Sequence, residues 1–135
     1  REVGHYSCRS MTGNCAALQS LADEPGRVQI NPADADERGI AEGQLVWVRS
    51  RRGKVITRAS ISERINAGAI YMTYQWWIGA CNELTQDNLD PISRTPETKY
   101  CAVQLEAIED QRWAEDFAAS AYQTMKTRLI AAVNV

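Results

Sequence analysis

Polar and apolar positions alternate with a period of two through two neighbouring stretches, QLVWVRS and KVITRASI. Strict alternation marks half-buried strands. Arg51, Arg52 and Gly53 between them supply a turn, so the pair reads as a β-hairpin. Leu45 and Trp47 fall on one face of the first strand, and Val55, Thr57, Ala59 and Ile61 on one face of the second. RVQI before the hairpin and AIYMTY after it are two more short strands, the latter entered through an INAG turn. YCAVQLEAI is the last strand of the series, with Cys101, Val103, Leu105 and Ala107 on one face.

Three stretches carry helical signals instead. Asn14 can cap a short helix, CAALQSLA, which presents Leu18, Leu21 and Ala22 and stops at DEPG. In NPADADERG, Asn31 is an N-cap, Pro32 suits the first helical position, and Asp34 can accept from the free amides. Asp34, Asp36 and Glu37 complement the positive helix end, and Gly39 can take the left-handed conformation that stops the helix. From Asp110 onward Trp113, Phe117, Ala121 and Met125 recur every four residues, with Leu129 next. That is an amphipathic helix whose apolar stripe needs a partner: the barrel, another subunit or a further domain. The sum is a mostly-β domain, a small barrel with helical decoration.

Composition narrows the function classes. The chain has 135 residues, enough for one domain, with 44% hydrophobic and 24% charged residues, as in soluble globular proteins. A net charge of -2 leaves no electrostatic footprint for nucleic acid or acidic lipid. No apolar run approaches the roughly 20 residues that span a bilayer. Nothing near Arg1 has the apolar core of a signal peptide, so a cytoplasmic location is expected. The four cysteines, Cys8, Cys15, Cys81 and Cys101, have no Cys-x-x-Cys spacing, and one histidine supports a zinc site poorly. Reduced thiols are expected. Cys101 reads as a small core residue, while Cys8 and Cys81 lie in loop-like stretches.

Candidate chemistry concentrates at two places. REVGHYSCRSMTGN holds the single histidine, His5. On spacing alone it is a loop histidine bonded to its own surroundings, since no nucleophile accompanies it. The alternative is ligand binding: Gly4, His5, Tyr6 and Ser7 offer closely spaced amides, and Arg1 adds a fork of donors suited to phosphate. SRRGK reads as a solvated hairpin tip. The second place runs from about Gln75 to Lys99, a long polar stretch with no sustained period. Loops of that length are uncommon in a compact domain and are usually functional. Trp76 and Trp77 point to opposite faces if extended, and lead into Asn82, Asn88, Asp90, Pro91, Pro96 and Lys99. The aromatics roof the core, or with the amides and Lys99 they make a site for a flat heterocycle carrying phosphates.

REVGHYSCRSMTGN, INPADADERGIAEGQLVWVRSRRGKV and YMTYQWWIGACNELTQDNLDPISRTPETKYCAV, in that order, resemble the C-terminal molybdopterin-dinucleotide-binding domain of the molybdenum oxidoreductases. The resemblance is strongest to formate dehydrogenases of the formate hydrogenlyase type. It covers essentially the whole chain, the terminal DQRWAEDFAASAYQTMKTRL included. It implies a double-psi β-barrel over residues 1–109, with 110–135 as a helical tail. It also implies a bis(molybdopterin guanine dinucleotide) cofactor carrying molybdenum or tungsten in the parent enzyme. An iron–sulfur cluster would sit in the parent but not here. The opening loop, Arg1, Glu2, Val3, Gly4, His5, Tyr6 and Ser7, would contact the cofactor, with Tyr74, Asn82 and Lys99 reaching it from the second loop. His5 would then be a wall residue and not a base. Thr98 departs from the tyrosine expected before Lys99, and the family's first barrel strand, ahead of the opening loop, is missing from this sequence. The metal ligand, the catalytic histidine and the cluster cysteines of the family match none of the residues here, so no catalytic or metal-binding residue is assigned. The implied partners are the parent's other domains and its electron-transfer subunits, with no nucleic acid and no membrane segment. Two alternatives stand beside this reading: the same domain of a nitrate or other oxyanion reductase, and a free-standing β-barrel interaction module that uses YQWWIGACNEL or the terminal helix.

Overall fold

The structure is a computed structural model that describes residues 15, 17–18, 24–74, 76–97 and 100–133. Most of the helix expected over CAALQSLA lies outside the described residues, as does the whole opening loop. The body is one five-stranded sheet: β1 (Arg27–Ile30), β2 (Leu45–Arg49), β3 (Lys54–Ile61), β4 (Ile70–Met72) and β5 (Gln104–Ala107), in the order β4-β1-β3-β2-β5. β2 and β3 form the expected hairpin, with Val48 opposite Val55 and Val46 opposite Thr57. β1 runs parallel to β3, with Val28 opposite Ala59, while β4 and β5 add antiparallel at the two edges.

The first short helix, α1 (Pro32–Glu37), obeys its capping signals. Asn31 has an extended backbone and its Oδ1 accepts from Ala33 N at 3.0 Å. Gly39, at φ 62°, ends it. Asp34 departs from expectation. Its Oδ2 accepts from Gly68 N at 2.7 Å instead of from the helix amides, and so ties α1 to the turn before β4. The last strand is also shorter than the alternation suggests. Its ladder partner β2 ends at Arg49, opposite Gln104, and turns into the hairpin tip, so Cys101–Val103 have no strand to pair with there.

Both faces of the central strands are buried, which alternation alone does not signal. Val28, Ile30, Val46, Val48, Val55 and Ala59 fill the concave side with Leu84, and Met72, Cys101, Val103 and Leu105 pack against them. The opposite face, Leu45 and Ile56, lies under the terminal helix α2 (Gln111–Val133). The sheet is curled: β4 and the segment leading into β5 both line one cleft of about 440 Å³, so its two edges face each other across a gap.

The helix meets the sheet partly through its predicted stripe and partly through smaller residues beside it. Ala114 and Ala118 are the buried residues of the interface, because their small side chains let the helix backbone approach Leu45 and Ile56. Trp113 and Phe117 flank that contact and stay 46% and 42% exposed. They stack on each other at 5.2 Å and close around Trp47 at 6.3 and 6.0 Å. The Leu129 side chain lies outside the described residues. At the foot of the helix Gln111 clasps β2: its Oε1 accepts from Leu45 N at 2.8 Å and its Nε2 donates to Leu45 O at 2.9 Å.

Candidate functional site

The segment between β4 and β5 is the long loop that the sequence singles out, and it is built onto the body at three points. Trp76 is buried, with its ring against Gly26 and its Nε1 donating to Thr73 Oγ1. Trp77 is the half-exposed one of the pair, so the expected divergence of the two indoles holds and Trp76 is the roof. The Glu24 carboxylate accepts from Trp77 N and Ile78 N at 3.2 and 3.1 Å. Gly26 N donates to Ile78 O at 2.9 Å. Gly79, at φ 78°, passes so close to Ile56 O that an added Cβ would sit 2.7 Å from it.

The second point is a short 3-10 turn, Cys81–Glu83. Here the hairpin tip does more than meet solvent. Arg52 Nε donates to Leu84 O at 3.2 Å, and Gly53 lies against the Glu83 carbonyl, with Leu84 sunk into the core. The third point closes the loop on itself. Gln86 Nε2 donates to Tyr100 O, Glu97 N donates to Asn88 O, and Leu89 and Pro96 form an isolated bridge. Asp90 folds the crown: its Oδ1 accepts from Ile92 N, Ser93 N and Ser93 Oγ. Those hydrogen bonds, the Ser93 amide first, hold the Asp90 carboxyl below its ordinary value. The Tyr100 phenol is pushed up because it bonds to the Glu97 carboxylate and faces its charge.

These anchors set where the expected site residues stand. Tyr74 follows β4 and is 59% exposed. Asn82 is exposed in the 3-10 turn, and its carbonyl accepts from Thr85 Oγ1 at 3.0 Å. The neighbours of Asn82, namely Cys81, Leu84 and Thr85, face Met72 of β4 across a cavity of about 170 Å³. Tyr74 and Asn82 are near these residues in sequence, but neither lines the chamber. Arg1, Glu2, Val3, Gly4, His5, Tyr6, Ser7 and Lys99 lie outside the described residues. The chamber is also lined by Tyr100 and Cys101, which the sequence reading assigned to a strand. Their signal was position: Tyr100 directly follows Lys99 in the same run. Among the described residues no group of three or more His, Cys, Asp or Glu is placed to hold a metal ion. No helix there is long and apolar enough to cross a membrane.

Residues 1–102 match the family described as the molydopterin dinucleotide binding domain. The chain belongs to this family. As a molybdopterin-dinucleotide-binding domain it is 67% identical over 129 residues to formate dehydrogenase H of Escherichia coli, an alignment covering 96% of this chain and 18% of that protein. It is 40% identical over 108 residues to the F420-dependent formate dehydrogenase 2 subunit alpha of Methanococcus maripaludis, covering 80% of this chain and 16% of the relative. The chain thus spans less than a fifth of the length of these curated relatives. Among solved structures, acetylene hydratase from Pelobacter acetylenicus superposes with a TM-score of 0.58 at 16% identity, over 67% of this chain and 15% of that one. At that identity the match speaks for the fold, and it agrees with a curled β-barrel domain. The donor chemistry present fits such a cofactor. The Tyr74 phenol and the Asn82 carboxamide are exposed, and each can both donate and accept.

Proposed function

We propose that this domain forms one wall of the cofactor site in a molybdenum-dependent formate dehydrogenase that oxidises formate to carbon dioxide. The observation that carries the reading is the 67% identity to formate dehydrogenase H, sustained over 96% of the chain. The unit 1–109 is the cofactor-binding barrel and 110–135 a helical tail. The cofactor is a bis(molybdopterin guanine dinucleotide), with molybdenum or tungsten, and it supplies the redox chemistry when bound. An iron–sulfur cluster and electron-transfer subunits belong to the parent protein.

The chain's own residues bind and orient. Arg1 through Ser7 offer amides and a guanidinium to phosphate and pterin, with His5 as part of the wall. Tyr74 and Asn82 direct hydrogen bonds into the same space, and Lys99 supplies a cation for phosphate. The anchoring of the loop supports this division of labour. Side chains that must meet a polar ligand need a backbone that does not move when they bind.

The test uses the complete enzyme. Asn82→Ala and Lys99→Ala each remove a hydrogen bond to a partly charged ligand, worth about 1.5–3 kcal/mol, or about 10- to 100-fold in affinity. Molybdenum content after gel filtration should fall in both variants. Full metal occupancy with unchanged formate oxidation in both would overturn the assigned site.

A further inference from the structure

We propose that Cys81 and Cys101 are a redox pair whose oxidation to a disulfide staples the 3-10 turn to the segment entering β5. The two thiols are free, and both are half-buried. Both line the chamber of about 170 Å³, between Met72, Leu84 and Val103. Gln86 Nε2 donates to Tyr100 O at 3.3 Å, a side-chain tie from the stretch after the 3-10 turn to the residue before Cys101. Cys101 packs against the cluster that contains Leu84, three residues from Cys81. Each residue also keeps some exposure to solvent. Burial raises the Cys81 thiol above its ordinary value, with a smaller contribution from Cys101. Cys15, by contrast, is exposed and lines no part of the chamber.

The oxidant is a peroxide. One thiolate attacks a peroxide oxygen, the O–O bond breaks, and a sulfenic acid and the first water form. The second thiol attacks the sulfenic sulfur, the S–S bond forms, and the second water leaves. Two thiols and one hydrogen peroxide thus become one disulfide and two waters, and a dithiol reductant reverses the change. The bond closes a loop containing Asn82 and Lys99, and the proposal stands whether or not that loop holds a cofactor. It adds a covalent tie where the structure has one side-chain hydrogen bond and apolar contact.

The experiment takes the complete native polypeptide, prepared reduced, and treats it with hydrogen peroxide under native conditions. Free thiols are then alkylated and the digest is read by mass spectrometry. The expected product is a cross-linked pair of peptides holding Cys81 and Cys101, lighter by two hydrogens than their sum. It should vanish on adding dithiothreitol and in Cys101→Ser and Cys81→Ala alike. Recovery of both cysteines alkylated after Cys15 has been oxidised would overturn the proposal. So would recovery of Cys81 joined to Cys8 or Cys15.

Discussion

Gly26→Ala should destabilise the domain through a single steric contact. Gly26 does not have a left-handed backbone, so an alanine there carries no conformational penalty of its own. Its Cβ, however, would stand 2.4 Å from Trp76 Cδ1 and 2.6 Å from Cγ. Carbon atoms settle at about 3.5–4 Å, so the indole must retreat by about 1 Å. Trp76 is only 4% exposed and is bonded through Nε1 to Thr73 Oγ1, which leaves it little room. Overpacking of this kind costs about 1–3 kcal/mol, and loss of the indole hydrogen bond adds about 1 kcal/mol. The sum is about 2–4 kcal/mol. At about 4 °C per kcal/mol for a chain of this size, the melting temperature should fall by about 8–16 °C. Gly39→Ala is the matched control. Gly39 sits at φ 62° with nothing within 4 Å of an added Cβ, so its cost is the left-handed backbone alone, about 1–2 kcal/mol. Urea unfolding followed by circular dichroism measures both. A Gly26→Ala variant within about 0.5 kcal/mol of the parent, or milder than Gly39→Ala, would refute the packing argument.

Three further outcomes test other parts of the structure. Gln111→Ala leaves the part-buried Leu45 amide without its partner and should cost about 1–3 kcal/mol in urea unfolding, where a change below 0.5 kcal/mol would deny the clasp. Arg58→Met breaks a two-point pair with Glu115, at 2.7 and 3.0 Å, and a bond to Gly43 O at 2.9 Å, whereas Arg58→Lys keeps the charge and removes the fork; Glu115 is half in solvent, so the ion pair itself adds little. The salt-sensitive part of the loss should therefore stay below about 1 kcal/mol, with about 1 kcal/mol more, insensitive to salt, from the Gly43 carbonyl. Asp90 is held below its ordinary value of 3.8, so the crown turn is supported above that value and loses the support as pH falls through the lower, folded value. The Ser93 amide should exchange faster with solvent in that acid window than the rate at higher pH predicts. Asp90→Asn should keep the turn but abolish the acid dependence.

The legible parts of this protein are those where local chemistry decides the backbone. Asn31, Pro32 and Gly39 announce α1, and the hairpin is written in alternation on either side of Arg51–Gly53. What alternation could not show is that the far face of β2 and β3 is also covered, since the cover comes from a helix more than fifty residues later. The same distance hid the contact residues of that helix. Trp113 and Phe117 carry the strongest apolar signal and do reach Trp47, but the fully buried contacts are the small Ala114 and Ala118. Asp34 looked like a helix-end acceptor because the Gly68 amide that takes it is remote in sequence. Tyr74 and Asn82 enter the candidate site through resemblance alone. The anchoring of the long loop depends on Arg52, Glu24 and Gln86 reaching across long separations, which one sequence does not reveal.

The crown of the long loop has a practical consequence. Residues Asp90 to Thr95 are tied mainly to one another, and Ile92 at their tip is 92% exposed. Below them the Leu89–Pro96 bridge already brings the chain ends together. Doubling the length of such a segment costs only about 0.6 kcal/mol in closure entropy. A reporter peptide or fluorophore-binding tag spliced at Ile92 would ride on the domain without being felt by the sheet beneath it.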